Sequence, residues 1–384
     1  MAGAWLLGAE SGDGGAARAV AVAVLRHAAA EPGEPGTDTS LRELRRLADT
    51  DGIDIAGTVV QTRDRPDPGT YVGAGKAEEL AGAVRRAGAT IVIADDELSP
   101  AQARNLQDVT GVRVVDRTAL ILDIFAGHAR SKEGRLQVEL AQIAYQLPRL
   151  RGTGRALSRV GGGRVAGGAG IGVRGPGEMR IELQRRRMRQ RAARLRESAG
   201  ELARRRQRTR RRRARNLVPS VAITGYTNAG KTALLNRLTG AAESSADVLF
   251  ATLDPAVRRT AVDGRTFTLT DTVGFVRHLP HQLVDAFGST LEEVSHSDLV
   301  LHVVDASAPD ALGQITTVHG VLHEIGAGDV PEMIVLNKID VAPPEWLDAL
   351  RRAHPDAVPV SALTGERVAA LRTAIAARLR RIAG

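Results

Sequence analysis

The chain reads as α/β, with a doubly wound sheet in its C-terminal part, preceded by a small α/β unit and an Arg-rich helical hairpin. Three observations predict this. Short apolar runs alternate with helix-period segments from about residue 40 to 125, and again from 218 to the end. A strand-like run at 218–224 passes directly into a Gly-rich loop and then a helix-like segment. Between these regions, the stretch from Leu140 to Arg215 holds 23 Arg, no Lys and four Glu, a net +19. The whole chain carries +9, so the remaining 308 residues carry −10.

The elements follow in order. Residues 1–40 are expected to be a poorly structured extension: an Ala/Val stretch at 16–29 is followed by the breaker EPGEPGTDTS at 31–40. Residues 41–130 form the small α/β subdomain. It runs from a helix at Leu41–Ala48 through a strand in GIDIAGTVVQ (52–61), a Pro/Asp turn (64–69), a helix at 76–87 and a strand in ATIVIAD (89–95). Ser99-Pro100 is an N-cap with Pro at the first helical position, and VRVVD (112–116) is one more buried strand.

Residues 131–215 form the hairpin. Leu136, Leu140, Ile143 and Leu147 step +4, +3, +4 along its first arm. Met188, Ala192, Leu195, Ala199 and Leu202 give the second arm, Glu178 to Arg215, a heptad seam. The 11 Gly of residues 151–177 make the tip between the arms irregular. Residues 216–384 form the last domain, with strands at 218–224, 266–271, 299–305, 332–337 and 357–361 separated by helices.

Composition narrows the function classes. With no Cys, disulfides, thiolate metal sites and Cys nucleophiles are excluded. No apolar run reaches the ~18–20 residues of a membrane span, and the first residues lack a basic signal-peptide region. A cytoplasmic monomer is the expectation. An acidic body carrying one basic element points to a polyanionic partner. Tyr145 is the only aromatic in the basic stretch, so phosphate and shape contacts to structured RNA fit better than base stacking.

The chemistry concentrates after residue 216. GYTNAGKT (225–232) lies between a strand and a helix, the context that G-x-x-x-x-G-K-[ST] requires. Gly225 and Gly230 let the loop of Tyr226, Thr227, Asn228 and Ala229 curl its N–H groups toward phosphate. Lys231 would reach the β- and γ-phosphates, and the Thr232 hydroxyl would ligate Mg²⁺. In LFATLDP, Thr252, after Phe250 and Ala251, can close over the γ-phosphate and complete the Mg²⁺ shell. In DTVGF, Asp271 would hold Mg²⁺ through water, and beyond Thr272 and Val273 the Gly274 N–H would meet the γ-phosphate.

NKID follows another strand: Asn337 and Lys338 lead to Asp340, which can accept two hydrogen bonds from guanine that adenine cannot supply. Ser361, Ala362 and Leu363 would support the base edge. Together these name GTP as substrate and Lys231, Thr252 and Gly274 as the catalytic set. Two of the four Lys in the chain, Lys231 and Lys338, fall here.

Two positions keep alternatives open. Phe275 stands near where many such enzymes place a water-orienting Gln. Either hydrolysis leans on a partner for that role, or Phe275 packs inward while another residue performs it. Asn228 either rigidifies the loop or binds K⁺, as in some related GTPases. Other tempting groups are set aside. Gly73-Ala74-Gly75-Lys76 lacks the first Gly and the following Ser/Thr of a phosphate loop, and Asp95, Asp96 and Glu97 lead into the Ser99 cap. His278 and His281 are surface or packing residues beside the switch.

The phrases DRTALILDIFAGHA (116–129), GRLQVELAQIAYQLPRL (134–150), GIGVRGPGE (170–178), GYTNAGKT, LFATLDP and DTVGFVRHLPHQLVDAF (271–287) resemble the HflX family of ribosome-associated GTPases. So does YVGAGKAEEL (71–80) followed by DDELSPAQARNLQ (95–107), and the likeness covers about residues 40–384. It implies an α/β-plus-hairpin region ahead of a P-loop GTPase domain, binding to the large ribosomal subunit and its rRNA through the 140–215 hairpin, and ribosome splitting under stress. The first 40 residues match nothing typical of the family, and Thr232-Ala233 replaces the usual Ser-Thr while keeping the metal-binding hydroxyl. The rival readings are an ATP-driven RNA remodeller, which Asp340 opposes, and a non-catalytic RNA-binding scaffold whose nucleotide only regulates assembly.

Overall fold

An alternating Ala/Val run builds the middle of the first sheet. In the computed structural model, ARAVAVAVL forms β1 (Ala17–Leu25), and Ala19 to Ala23 are buried. The described residues are 17–25, 37–150, 176–215, 218–240, 249–250, 256–262, 264–277, 283 and 291–383. β1 lies between β2 (Ile53–Thr62) and β3 (Ile91–Ala94), with β4 (Arg113–Asp116) outside β3, all parallel. This corrects the expectation for residues 1–40, because 17–25 is a strand. A parallel strand covered on both faces must be apolar on both, and such a run has no period to separate it from a helix.

Helices cover each face. Val20 and Val22 face α2 (Ala74–Ala87) and α3 (Pro100–Thr110), against Leu80, Val84 and Leu106. Ala19 and Ala21 face α1 (Thr37–Thr50) and α4 (Arg117–His128), against Leu44, Leu47, Leu120 and Ile121. α3 opens with the expected Ser99 cap, which accepts from Gln102 N–H while the Gln102 side chain accepts from Ser99 N–H.

The hairpin arms are α5 (Lys132–Arg149) and α6 (Pro176–Arg215). Ile143, Ala192 and Leu195 are buried between them, with Leu136, Leu140, Leu147 and Met188 packed alongside, as the first seam and three of the five positions of the second predict; Ala199 and Leu202 are not part of this cluster. The arms run antiparallel: Arg206 pairs with Glu133 at 2.6 Å, and Arg191 chelates Glu139 at 2.7 and 3.0 Å. At 40 residues, α6 is about 60 Å long. The tip-side end of α5 is fastened to the first sheet through buried Asp116, which accepts from Tyr145 Oη at 2.9 Å, Arg149 at 2.8 Å and the N–H groups of Leu98 and Ala119. The Gly-rich tip lies outside the described residues, apart from the start of α6.

The second sheet has the order β10-β9-β8-β5-β7-β6. Its strands are β5 (Ser220–Gly225), β6 (Val257–Val262), β7 (Arg265–Asp271), β8 (Leu299–Asp305), β9 (Glu332–Asn337) and β10 (Val358–Pro359). Only β6 runs antiparallel to its neighbour, as an edge strand. Its VRRTAV sequence is largely exposed and carries too weak an alternation to be seen beforehand. Leu234, Leu235 and Leu238 of α7 (Lys231–Thr239) and Leu371, Ile375 and Leu379 of α10 (Val368–Ala383) cover one face. Val318, Val321 and Leu322 of α8 (Ala311–Glu324) cover the other, and α9 (Pro344–Ala353) precedes β10. The core under α1 and α4 continues into this second region, where the Phe125 and Phe250 rings lie 4.4 Å apart.

Candidate active site

The carboxyl ends of β5, β7, β8 and β9 meet along one edge of the second sheet, the place where a doubly wound fold presents its ligand-binding loops. β5 ends at Gly225, whose φ of +144° and tight surroundings both demand glycine: an added Cβ would lie 2.1 Å from the Val303 carbonyl oxygen. The loop then turns through Asn228 and Gly230, at φ of 61° and 88°, into α7. Its N–H groups therefore sit at a helix N-terminus, where a phosphate is favoured. Lys231, the first residue of α7, is buried, and its Nζ donates to the carbonyls of Gly225 at 3.2 Å and Tyr226 at 2.8 Å. Burial pushes its pKa down to about 8, against the pull of Asp271.

The β7 end supplies the second group. Thr232 Oγ1 donates to Asp271 Oδ2 at 2.7 Å, so the hydroxyl and carboxylate expected to serve one cation are adjacent. An all-oxygen pair of this kind suits Mg²⁺. Beyond Thr272 and Val273, both buried, the chain passes close above the loop. A Cβ on Gly274 would meet Thr227 at 2.7 Å and Lys231 Nζ at 3.1 Å. Phe275 bridges back to the loop: its N–H donates to the Gly225 carbonyl and its own carbonyl accepts from Thr227 N–H. The ring is fully buried in the core, so the inward-packing alternative is the one observed. Ala251, Thr252, His278 and His281 lie outside the described residues; Phe250 is described and buried.

The third group comes from β9. Asn337 is buried and ties two loops together, its Nδ2 donating to the Ala229 carbonyl at 2.8 Å and its Oδ1 accepting from Ala362 N–H at 2.9 Å. Lys338, at φ 65°, donates to Asp305 Oδ2 at 2.7 Å. Asp340 is exposed and so is Leu363, while Ser361 is buried and accepts from Thr364 N–H. Thus the described candidate residues of the 225–232, 271–274, 337–340 and 361–363 segments gather on this one edge, whereas Phe250 is buried in the core against Phe125.

Four contributors were not foreseen: Arg237, Asp305, Glu43 and Arg117. Arg237 of α7 donates to the Ala362 and Leu363 carbonyls and straps the loop after β10 to the helix of the phosphate loop. Asp305, at the end of β8, holds Lys338. Tyr226 Oη donates to the Glu43 carboxylate of α1 at 2.8 Å and accepts from Arg277 N–H at 3.0 Å. Glu43 is held in turn by the buried Arg117 guanidinium at 2.7 Å, whose other arm meets Asp95 at 2.9 Å. A buried cation of this kind needs paired carboxylates, so Asp95 belongs to a structural network rather than a catalytic cluster. No local sequence signal links Glu43 to Tyr226, which are 183 residues apart.

Comparison with known proteins identifies the family. Three family models match in succession: GTP-binding GTPase N-terminal over residues 38–126, GTP-binding GTPase Middle Region over 128–213, and 50S ribosome-binding GTPase over 220–338. A GTPase HflX of Caldanaerobacter subterraneus subsp. tengcongensis is 50% identical over 325 residues, covering 84% of this chain and 73% of that protein. The GTPase HflX of Escherichia coli (strain K12) is 43% identical over 342 residues, covering 88% and 79%. A GTP-binding protein of Sulfolobus solfataricus, crystallised with GDP, aligns over 94% of this chain and 99% of its own at 24% identity and a TM-score of 0.46. Carrying a phosphate loop on one sheet and a basic hairpin on the other, and matched along most of its length at up to 50% identity, the chain belongs to the HflX family of GTPases.

Proposed function

We propose that the protein hydrolyses GTP while bound to the large ribosomal subunit, gripping rRNA with its 140–215 hairpin, and that the cycle dissociates or rescues ribosomes under stress. The observation that carries this reading is the joining of the two halves: the first arm of the Arg-rich hairpin, at its tip-side end, and the phosphate loop are both fastened to the first α/β region, through Asp116 and Glu43. Occupancy at one end can therefore bias the other.

The chain's own residues divide the chemistry. Water attacks the γ-phosphorus in line, the bond to the β–γ bridging oxygen breaks, and GDP and phosphate leave. Lys231 and the N–H groups of residues 226–230 neutralise the growing charge on the phosphate oxygens. Gly274 N–H holds the γ-phosphate and Thr252 closes over it. Thr232 and Thr252 would hold Mg²⁺ directly and Asp271 through water; the ion supplies electrostatic stabilisation. Asp340 reads guanine, with Ser361, Ala362 and Leu363 at the base edge. Phe275 cannot orient water from the core, so another group does so, and under either reading of Phe275 ribosomes are expected to stimulate turnover. Asn228 is the candidate for a K⁺ contact, and exchanging K⁺ for Na⁺ in a turnover assay tests it.

Sedimentation of ribosomes with the protein plus GTP, GDP or a non-hydrolysable analogue tests the main reading. Free subunits should accumulate with GTP or its analogue but not with GDP. Co-sedimentation with unchanged subunit profiles would overturn splitting and leave binding, and GTP turnover that ribosomes do not accelerate would overturn the partner-stimulated step.

A further inference from the structure

On the α8 face of the second sheet, away from the phosphate loop, three side chains converge for which nucleotide chemistry has no use. His302 of β8 and Glu332 of β9 share that face, because β8 and β9 run parallel with Val300 opposite Glu332 and His302 opposite Ile334. His319 reaches them from α8. His302 Nδ1 lies 2.7 Å from Glu332 Oε1, and His319 Nε2 lies 3.1 and 3.0 Å from the two Glu332 oxygens. One ligand atom from each residue falls within 4.8 Å of the other two.

We infer that His302, His319 and Glu332 form a binding site for a divalent transition-metal cation of the zinc class. The spacing requires the group to open slightly: ligands about 2.0–2.1 Å from a tetrahedral ion stand about 3.3 Å apart, whereas the hydrogen-bonded side chains lie 2.7 Å (His302) and 3.0–3.1 Å (His319) from the carboxylate. Two imidazoles and one carboxylate favour Zn²⁺, Co²⁺, Ni²⁺ or Cu²⁺ over Mg²⁺, which prefers the all-oxygen pair of Thr232 and Asp271. The burial gradient also fits. His302 is almost wholly enclosed, while the Glu332 and His319 side chains are 27% and 44% exposed and leave a path for the ion.

Protonation is mixed: the hydrogen bond to Glu332 pushes the His319 pKa up, so an ion must displace a proton there. Burial pushes the His302 pKa down, toward the neutral imidazole a metal needs. Burial alone would raise the Glu332 carboxyl, but the hydrogen bonds of His302 and His319 hold it down at about 2, so it is ionised. The site braces a specific part of the sheet. An ion there would clamp α8 to the two strands that end at Asp305 and Asn337, the residues positioning Lys338 and the loop after β10.

The test uses the full chain, stripped with chelator and then saturated with Mg²⁺ and GDP so that the oxygen-lined cation position is filled. Titration with Co²⁺, followed by its visible d–d absorption, should show one equivalent bound and displaced by Zn²⁺. His319→Ala and Glu332→Gln should each weaken it about tenfold or more, as losing a ligand must cost at least what losing its outer hydrogen-bond partner does, with GDP affinity unchanged. His319→Gln, a milder change at a half-exposed position, guards against misfolding. No stoichiometric Co²⁺ uptake by the unmodified chain, or uptake indifferent to these substitutions, overturns the proposal.

Discussion

On the proposed function, the two ends of this molecule would recognise phosphate in opposite ways. At the strand edge of the second sheet, one buried lysine, two glycines with no room for a side chain and a handful of N–H groups are held by close packing. On the hairpin, a 40-residue helix presents mostly exposed Arg side chains, held to its partner arm by a thin seam of Ile143, Ala192 and Leu195. The first is specific because its groups are buried and already positioned. The second is strong only through numbers and long-range charge. A nucleotide site therefore tolerates almost no substitution, and a polyanion-docking arm tolerates many.

Salt gives the sharpest contrast. If the hairpin neutralises six to ten phosphates, ribosome binding should fall by about 10³–10⁵ between ~50 and ~200 mM salt. GDP affinity, set by buried contacts, should change little over the same range. Parallel ribosome sedimentation and GDP titration check this, and equal slopes would erase the distinction. Asp340→Asn comes next. It removes two charge-assisted hydrogen bonds of about 1.5–3 kcal/mol each, so GTP affinity should drop about a hundredfold or more while xanthosine triphosphate binds better than it does to the unmodified chain. Hairpin binding to RNA should be unaffected, and unchanged GTP affinity would remove Asp340 from the base site.

Tyr226→Phe probes the joint between the ends. It deprives Glu43 and the Arg277 N–H of their shared hydroxyl, at a cost of about 1–3 kcal/mol for buried groups left unmatched. The expected readout is a lower thermal midpoint together with weaker ribosome stimulation of hydrolysis. A loss of stability alone would reduce Tyr226 to packing.

The smallest effect is that of pH. Phosphate favours charged Lys231, whose pKa in the free protein is about 8. Nucleotide affinity should hold steady below that value and fall up to about tenfold for each further pH unit. The same shift bears on folding. The folded pKa lies below the unfolded 10.5, so burying Lys231 costs stability at and below pH 8, and that cost shrinks as pH rises toward 10.5. Nucleotide affinity that does not change between pH 7 and 9.5 would contradict this account of Lys231.

Much of the site was legible in the residues alone because its pieces are consecutive. GYTNAGKT, DTVGF and NKID each bring several groups together in a single turn of chain, and a strand before each fixes where that turn lies. The hairpin seam was legible for a similar reason, since helical period is a local property. The Ala/Val run of β1 was visible but not its place, because a strand buried on both faces carries no alternation to read.

Sequence by itself thus determined the fold class, the family, the basic arm and the candidate residues proposed for phosphate, cation and guanine, all of which depend on neighbours in the chain. Tertiary structure alone decided the rest. It placed β1 at the centre of the first sheet, buried Phe275 in the core, joined Tyr226 to Glu43 and Arg117, strapped the guanine side with Arg237, and gathered His302, His319 and Glu332 on one face. Each of these depends on which distant segments a packed core brings within a few ångströms, and such pairings leave no periodicity or short motif in a single sequence.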